Sequence, residues 1–572
     1  MKQRSVLANK KILMPVFVLA IVAMFSSCAS GLKPLASSYF KSTPQPLEAV
    51  AGKVPVTINA TFPERWFNKN ASVTIIPVLR YDGGEAWGTT YNFQGEKVAG
   101  NGQVISQSAG ANVTMTSSFN FVPAMAKSEL LLTFVATVGN RAVNLPDVKI
   151  GDGVLATSVL ANATFESPAI AADAFQRIIK EKYEADIMFL IQQAELRSSE
   201  LKKDEIDEWK GIVENVSMTP DQNVNVEISA YASPDGGFEL NDKLAAEREK
   251  NTNQYLKKEL KRLDVNAPVS ARYTAQDWEG FRQLVEKSNI QDKDIILRVL
   301  ASYEDLEERE RQIRNISSVF SVLADEILPQ LRRSRLTANV EIIGRSDAEI
   351  SKLAVSLPHA LSVEELLYAA TLVTTNDVKA AIYNTVTQIY PNDYRAYNNL
   401  GVLAFERGNF VDAEKYFNMA QSLAGGKSPE VNYNFALLAL KVGDKESAQQ
   451  FLGNAAGVPE LNNALGLLAL QSGDFSKAAG LFSGAESNNA ALAQIMTKNY
   501  SGAMNTLGAI QNPNATTFYL KAIVGARTNN VNGVVSNLQE AISRDGSMAS
   551  RAINDLEFAK YIANPQFLKV VK

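Results

Sequence analysis

The chain is nearly devoid of cysteine and histidine. Cys28 is its only thiol and His359 its only imidazole in 572 residues. A lone cysteine rules out an internal disulfide, so packing alone must hold the folded parts together. The same scarcity leaves no His/Cys set for zinc and no Cys-His dyad. A Ser-His-Asp arrangement would have to use His359, which lies in Pro358-His359-Ala360 without a motif around it. No glycine loop of the phosphate-cradling kind is present. The formal net charge is −4, so no overall positive field gathers nucleic acid, which is not an expected partner. Beyond Phe25 no apolar run approaches the roughly 18–20 residues of a spanning helix. These gaps point to a protein that is not an enzyme and needs no cofactor.

The leader is what makes the single cysteine informative. Lys2, Arg4, Lys10 and Lys11 precede an apolar run from Ile12 to Phe25, and the small residues Ser26 and Ser27 come just before Cys28. That order of basic, apolar and small residues describes a secretory signal. It resembles a bacterial lipoprotein signal spanning residues 1–27. The resemblance implies that cleavage leaves Cys28 as the first residue, acylated with palmitate-type chains and held to membrane lipid. Each buried CH₂ contributes about 0.8 kcal/mol, so two or three chains anchor stably. Residues 28–50 read as a tether without periodicity. Ala29-Ser30-Gly31-Leu32 carries no acidic residue. By likeness to sorted lipoproteins, the expected home is the outer membrane, facing the periplasm.

Residues 51–165 read as β structure. Val54, Val56, Ile58 and Ala60 alternate with Pro55, Thr57 and Asn59, and Asp82-Gly83-Gly84, Gly100-Asn101-Gly102 and Gly151-Asp152-Gly153 punctuate the runs. Many short strands with turn signals predict an antiparallel β-sandwich.

Residues 171–348 read as mixed α/β. The pattern predicts a helix over 172–185, a strand over 186–191, a helix over 201–216, a strand over 224–231, a helix over 244–263 capped by Asn241, and a strand over 269–274. A charged helical insertion over 292–331 leads to a last strand over 338–343. Within this region, Ala230-Tyr231-Ala232-Ser233-Pro234-Asp235-Gly236 precedes Asn241-Asp242-Lys243-Leu244-Ala245-Ala246-Glu247-Arg248. This resembles the OmpA/Pal family of peptidoglycan-binding domains, whose pattern runs Gly-His-Thr-Asp-x-x-Gly and then Asn-x-x-Leu-Ser-x-x-Arg-Ala. Gly236, Asn241, Leu244 and Arg248 fall in register with it. The resemblance implies a clamp in which one Asp and one Arg hold the ammonium and carboxylate of diaminopimelate. An Arg fork suits the carboxylate. Arg248 stands at the Arg position, and Ser233 at the Asp position. A bound ammonium would lack its partner there, costing on the order of 1–3 kcal/mol. Asp235 can substitute only if the loop bends differently. Ser233, Asp235, Asn241 and Arg248 are therefore the candidate peptidoglycan-binding residues. Structural roles compete for each. Asn241 serves as a helix cap, Gly236 as a turn residue of positive φ, and Arg248 as a helix-surface residue. Trp278 reads as a core anchor.

Residues 360–572 are helical and repeat. Gly401, Ala404, Gly408, Ala413, Phe417 and Ala420 recur as Ala436, Ala439, Gly443, Ala448, Leu452 and Ala455, and again as Gly466, Ala469, Gly473, Ala478, Phe482 and Ala485. Gly401 and Ala436 lie 35 residues apart, near the ~34 of a tetratricopeptide (TPR) unit. Three ladders should line the inner groove: Asn398, Tyr433 and Asn463; Val402, Leu437 and Leu467; Phe405, Leu440 and Leu470. Two ladders are apolar, which suits an amphipathic helix or extended segment of a partner protein. The chain's own C-terminal helices or neighbouring repeats are the competing occupants.

The expected architecture is thus multidomain α+β: an N-terminal β-sandwich, a central OmpA-like α/β domain with a helical insertion, and a C-terminal TPR α-solenoid. The expected function is a non-enzymatic outer-membrane lipoprotein acting as an envelope scaffold. It would reach peptidoglycan through the OmpA-like domain and periplasmic or outer-membrane proteins through the TPR repeats. One alternative is an accessory subunit of an outer-membrane assembly or secretion complex whose OmpA-like domain no longer binds peptidoglycan. An alternative from a different class is a carboxylate-dependent peptidoglycan hydrolase.

Overall fold

The computed structural model describes residues 32–290, 293–315 and 317–572. The leader and Cys28 lie outside the described residues. The chain divides into two units. Residues up to Ala171 join Asn392–Lys572 in the first, and Ala172–Pro391 form the second.

The first unit begins with three sheets, of three, seven and two strands. In the three-stranded sheet β1 (Lys53–Phe62) pairs antiparallel with β3 (Ala111–Asn120). In the seven-stranded sheet β2 (Ala71–Tyr81) pairs antiparallel with β4 (Ser128–Val138). The period-two pattern drives this arrangement. Val54, Val56, Ile58, Ala60 and Phe62 of β1 and Val73 and Ile75 of β2 point into one shared core. Gly83, at φ +84°, turns the chain out of β2. Phe62 sits at the centre of an aromatic group, stacked on Trp66 at 5.3 Å and edge-on to Phe93 at 5.2 Å.

The second unit holds a four-stranded sheet in the order β5 (Ile178–Met188), β8 (Arg333–Ile343), β6 (Gln222–Tyr231) and β7 (Val269–Thr274). β8 runs antiparallel to both neighbours, and β6 and β7 are parallel. Helices α1 (Asp204–Met218) and α2 (Phe238–Arg262) contribute Trp209, Val213, Leu256 and Leu260 to the core against it. Two expectations are corrected here. Residues 172–177 have no regular secondary structure and 178–188 are strand, not helix. Pairing along all of β8 outweighs the helix propensity of the alanines and charged residues. The helix expected from 244 begins at Phe238 with Gly237 as N-cap, so Asn241 lies inside the helix and does not cap it. Trp278 is buried in a separate core with Phe281, Val285 and Leu331, under the helices that precede β8.

The repeats complete the first unit as five helix pairs: α3 (Tyr394–Glu406) with α4 (Phe410–Leu423), α5 (Pro429–Val442) with α6 (Lys445–Gly453), α7 (Leu461–Gln471) with α8 (Phe475–Leu481), α9 (Asn488–Met496) with α10 (Tyr500–Ala509), and α11 (Ala515–Arg527) with α12 (Val531–Arg544). One device turns every pair. A residue in the left-handed region ends the first helix: Gly408, Gly443, Gly473, Lys498 or Asn529. The next residue caps the second helix with its side-chain oxygen: Asn409, Asp444, Asp474, Asn499 or Asn530. The small residues let each pair close. A Cβ on Gly401 would lie 2.5 Å from the Phe417 ring, and one on Gly466 would lie 2.9 Å from Phe482.

Candidate functional site

Two places concentrate buried polar side chains that reach beyond their own element. The first is the inner groove of the repeats, which is filled. Residues 157–171, following the β part, run along it. Leu160, Ala163 and Ala169 share one core with Val402, Phe405, Leu437, Leu440, Leu467 and Leu470. Both apolar ladders are therefore interior positions, and Leu437 and Leu467 are wholly buried. This corrects the expectation of an open apolar groove. The occupant is neither a C-terminal helix nor a neighbouring repeat but a segment that lies 228 and 265 residues upstream of the asparagines that hold Ala171 and Ala169.

Asparagines hold this segment by its main chain. Asn399 accepts from the Ala171 N–H at 2.9 Å and donates to the Ala171 carbonyl at 3.0 Å. Asn434 does the same with Ala169, at 2.7 and 2.8 Å. Asn489 does so with Asn162, at 3.0 and 2.7 Å. An amide side chain presents one donor and one acceptor side by side, so it pairs with a residue's main chain as a strand edge does. Asn398 adds a bond to the Ala169 carbonyl at 3.0 Å, and the Tyr433 hydroxyl donates to the Ser167 carbonyl at 3.2 Å. Asn463, the third member of that ladder, is only half-buried. Between the amide forks, the carboxylate of Glu166 is enclosed. It accepts from Asn489 at 2.7 Å and Ser487 at 3.3 Å, and burial raises its pKa despite them. Burial of Tyr433 itself, with the nearby Glu166 charge adding to it, pushes its hydroxyl well above the usual phenol range.

Asn399, Asn434 and Asn489 went unread in the sequence, although a signal was there. Each stands two residues before a small residue of its repeat: Gly401, Ala436 and Ala491. In the third repeat the same place is Ala464, before Gly466. A polar side chain recurring on an otherwise buried helix face marks a hydrogen-bonding ladder.

The second place is the loop after β6. Ser233 is buried, and its hydroxyl donates to Asp235. Asp235 is paired with Arg332 at 2.9 Å, and Arg332 also donates to Ser233 at 3.2 Å. The Arg314 guanidinium reaches the Asp235 carbonyl. Asn241 donates to the carbonyls of Ser233 and Gly236, at 3.0 and 2.7 Å, and so pins the loop. Gly236 is not in the left-handed region, so the positive φ expected of it is corrected; its carbonyl also accepts from Gln276 at 3.0 Å.

Arg248 is not on the surface. It is 1% exposed and donates to the carbonyls of Gln193 at 2.9 Å, Tyr231 at 2.8 Å and Leu190 at 3.3 Å. Its guanidinium lies 5.0 Å over the Phe189 ring. Burial lowers its pKa to about 10, Arg332 adds to the fall, and Asp235 opposes it. The structure thus brings Ser233, Asp235, Asn241 and Arg248 to one cleft of about 40 Å³, and Arg332, which the sequence reading did not count among the site residues, pairs with Asp235. His359 is exposed on a short turn. Among the described residues no cluster of His, Cys, Asp and Glu could hold a metal, and no helix is long and apolar enough to cross a membrane.

No curated protein matches the chain. Among solved structures it is similar to PilF of Pseudomonas aeruginosa, at 15% identity over 38% of this chain and 99% of that one, with a TM-score of 0.27. It is similar to PilW, a widely conserved type IV pilus biogenesis factor, at 12% identity over 40% and 98%, with a TM-score of 0.25. A tetratricopeptide repeat protein from Parabacteroides merdae ATCC 43184 shares 13% identity over 48% and 97%, with a TM-score of 0.26. A family model described as Tetratricopeptide repeat matches residues 371–428. With the helix pairs, capped turns and small-residue seams described above, that match makes the C-terminal region of this chain a tetratricopeptide-repeat array.

Proposed function

We infer that the chain is a non-enzymatic scaffold of the bacterial envelope, anchored at the outer membrane through acylated Cys28 and facing the periplasm. TPR repeats are protein-binding structures, and the observation that carries the reading is the asparagine ladder, an array built to grip polypeptide main chain. In this reading the second unit is the OmpA-like part and lies near peptidoglycan. Crosslinking in cells, followed by purification of the full chain, tests it. A reproducible set of envelope proteins is expected. Recovery of cytosolic proteins only, or glycan turnover by the purified chain, would overturn it.

A second reading has its own support. In an accessory subunit of an outer-membrane assembly or secretion complex, the OmpA-like part has lost its ligand. Three main-chain carbonyls already engage Arg248, and Arg332 already neutralises Asp235. A zwitterionic stem would find neither charge free. Calorimetric titration of the full chain with a diaminopimelate-containing stem peptide separates the two. Weak or absent binding, strengthened by Ser233→Asp, is expected of a clamp lacking its acid. Tight native binding abolished by Asp235→Ala would show that Asp235 has taken over and would favour the peptidoglycan reading. No binding by either protein leaves the accessory-subunit reading in place.

A further inference from the structure

The groove and its occupant have the features of a receptor and ligand that share one chain. The contacts are to main-chain N–H and C=O groups at residues 162, 169 and 171 and depend on no particular side chain there. The side chains that do point inward are small or acidic: Ala163, Glu166, Ala169 and Ala171 are buried. Those that point away, Thr164, Ser167 and Ile170, are exposed. Ile170 in particular remains 46% exposed although the residues on either side of it are buried. The segment makes one 3-10 turn at Ala163–Phe165 and has no regular secondary structure over 167–171.

We propose that the TPR groove is a clamp for polypeptide of the pattern small-x-x-acidic-x-x-small-x-small, held by its main chain, and that the chain's own residues 161–171 occupy it as a resident ligand that shuts it to other proteins. Ala163 and Ala169 are packed in one core with Leu437, Leu467 and their neighbours, and Ala171 is buried, which sets the small positions. Asn489 and Ser487 set the acidic one. A tethered ligand acts at an effective concentration of roughly millimolar or more, so a free peptide at micromolar concentration cannot displace it. The inference deepens the scaffold reading and rests on the same asparagine ladder, but the two fail separately: peptide binding by the purified chain tests the clamp, and crosslinking in cells tests the scaffold.

The probe is a fluorescent peptide with the sequence of residues 160–172, titrated into the full chain and into an Ala163→Arg, Ala169→Arg variant whose segment no longer fits. The wild-type chain should show no saturable binding at micromolar peptide. The variant, if its repeats retain a cooperative melt, should bind at least about a hundredfold more tightly, because the groove-competent fraction sets the apparent affinity. Adding Asn399→Ala and Asn434→Ala should remove that binding. Equal binding by wild type and variant, or no binding by a folded variant, would overturn the proposal. Hydrogen exchange on the wild-type chain gives a reading that needs no variant to fold. The amides of Asn162, Ala169 and Ala171 should be protected together, and exchange at the rate of an unstructured peptide would overturn the proposal equally.

Discussion

Arg248 shows how one side chain can look like a ligand residue and act as a structural one. Its N–H groups fasten the loop before α1 to the end of β6, so its loss orphans three carbonyls. At about 1 kcal/mol for each orphaned carbonyl, Arg248→Ala should lower the stability of the second unit by roughly 2–4 kcal/mol. Denaturant unfolding followed through Trp209, which is buried beside β5, would check this. Glu166 carries the opposite chemistry. Burial raises its folded pKa above the unfolded value of about 4.3. The folded state therefore binds this proton more tightly, and the stability it contributes is present below the unfolded pKa and lost as pH rises through the folded one. Glu166→Gln keeps a neutral side chain of the same shape. Wild type and variant should melt alike near pH ~4, and the variant should melt higher as the pH rises. A constant difference at every pH would show that the carboxylate does not titrate there. Ser233, Asp235, Asn241 and Arg248 were legible as a cluster because they lie close together in the sequence. Arg332 was not, because β8 brings it there from almost a hundred residues away.

At the scale of elements, glycines in two helices separate seam from surface. Gly401 faces the Phe417 ring, whereas Gly211, in the middle of α1, has no atom within 4 Å of its would-be Cβ. Alanine is favoured over glycine in helices by about 1 kcal/mol, and overpacking costs about 1–3 kcal/mol. Gly211→Ala should raise the melting temperature of the second unit, and Gly401→Ala should lower that of the first. Calorimetry on the full chain reads both. The repeats were legible because their seams require small residues at a fixed period. The asparagines at the same period were missed because polar residues on a helix read as solvent-facing until the segment they hold is known. The stretch 172–185 read as helix for a related reason. Local propensity favours it, but Asn399 and Asn434 fix the main chain of Ala171 and Ala169 just before it, and β8 claims the residues from Ile178 onward.

At the scale of the molecule, residues 172–391 interrupt a unit whose halves depend on each other. The break is tied beyond the groove as well. Thr157 donates to Glu557, and Glu557 pairs with Arg527 at 2.5 Å, side chains 400 residues apart in sequence meeting out of solvent. Such long-range pairings leave no local pattern, so the sequence displays three consecutive regions where the fold has one unit interrupted by another. Residues 32–50, expected to be a tether, are instead part of this unit: Phe40–Thr43 pairs antiparallel with β1, Leu47–Glu48 pairs with Val154–Leu155, and Phe40, Leu47 and Ala49 are buried in the β core, because their apolar side chains find partners far along the chain. The most direct measurement is fractionation of cells producing the full chain or its Cys28→Ser variant, each probed by immunoblot. The wild-type chain should sediment with the outer membrane and need detergent for release, and the variant should appear in the soluble periplasm or as uncleaved precursor. A wild-type chain in the cytosol, or a variant that still fractionates wholly with the outer membrane, would contradict a lipid-anchored envelope scaffold.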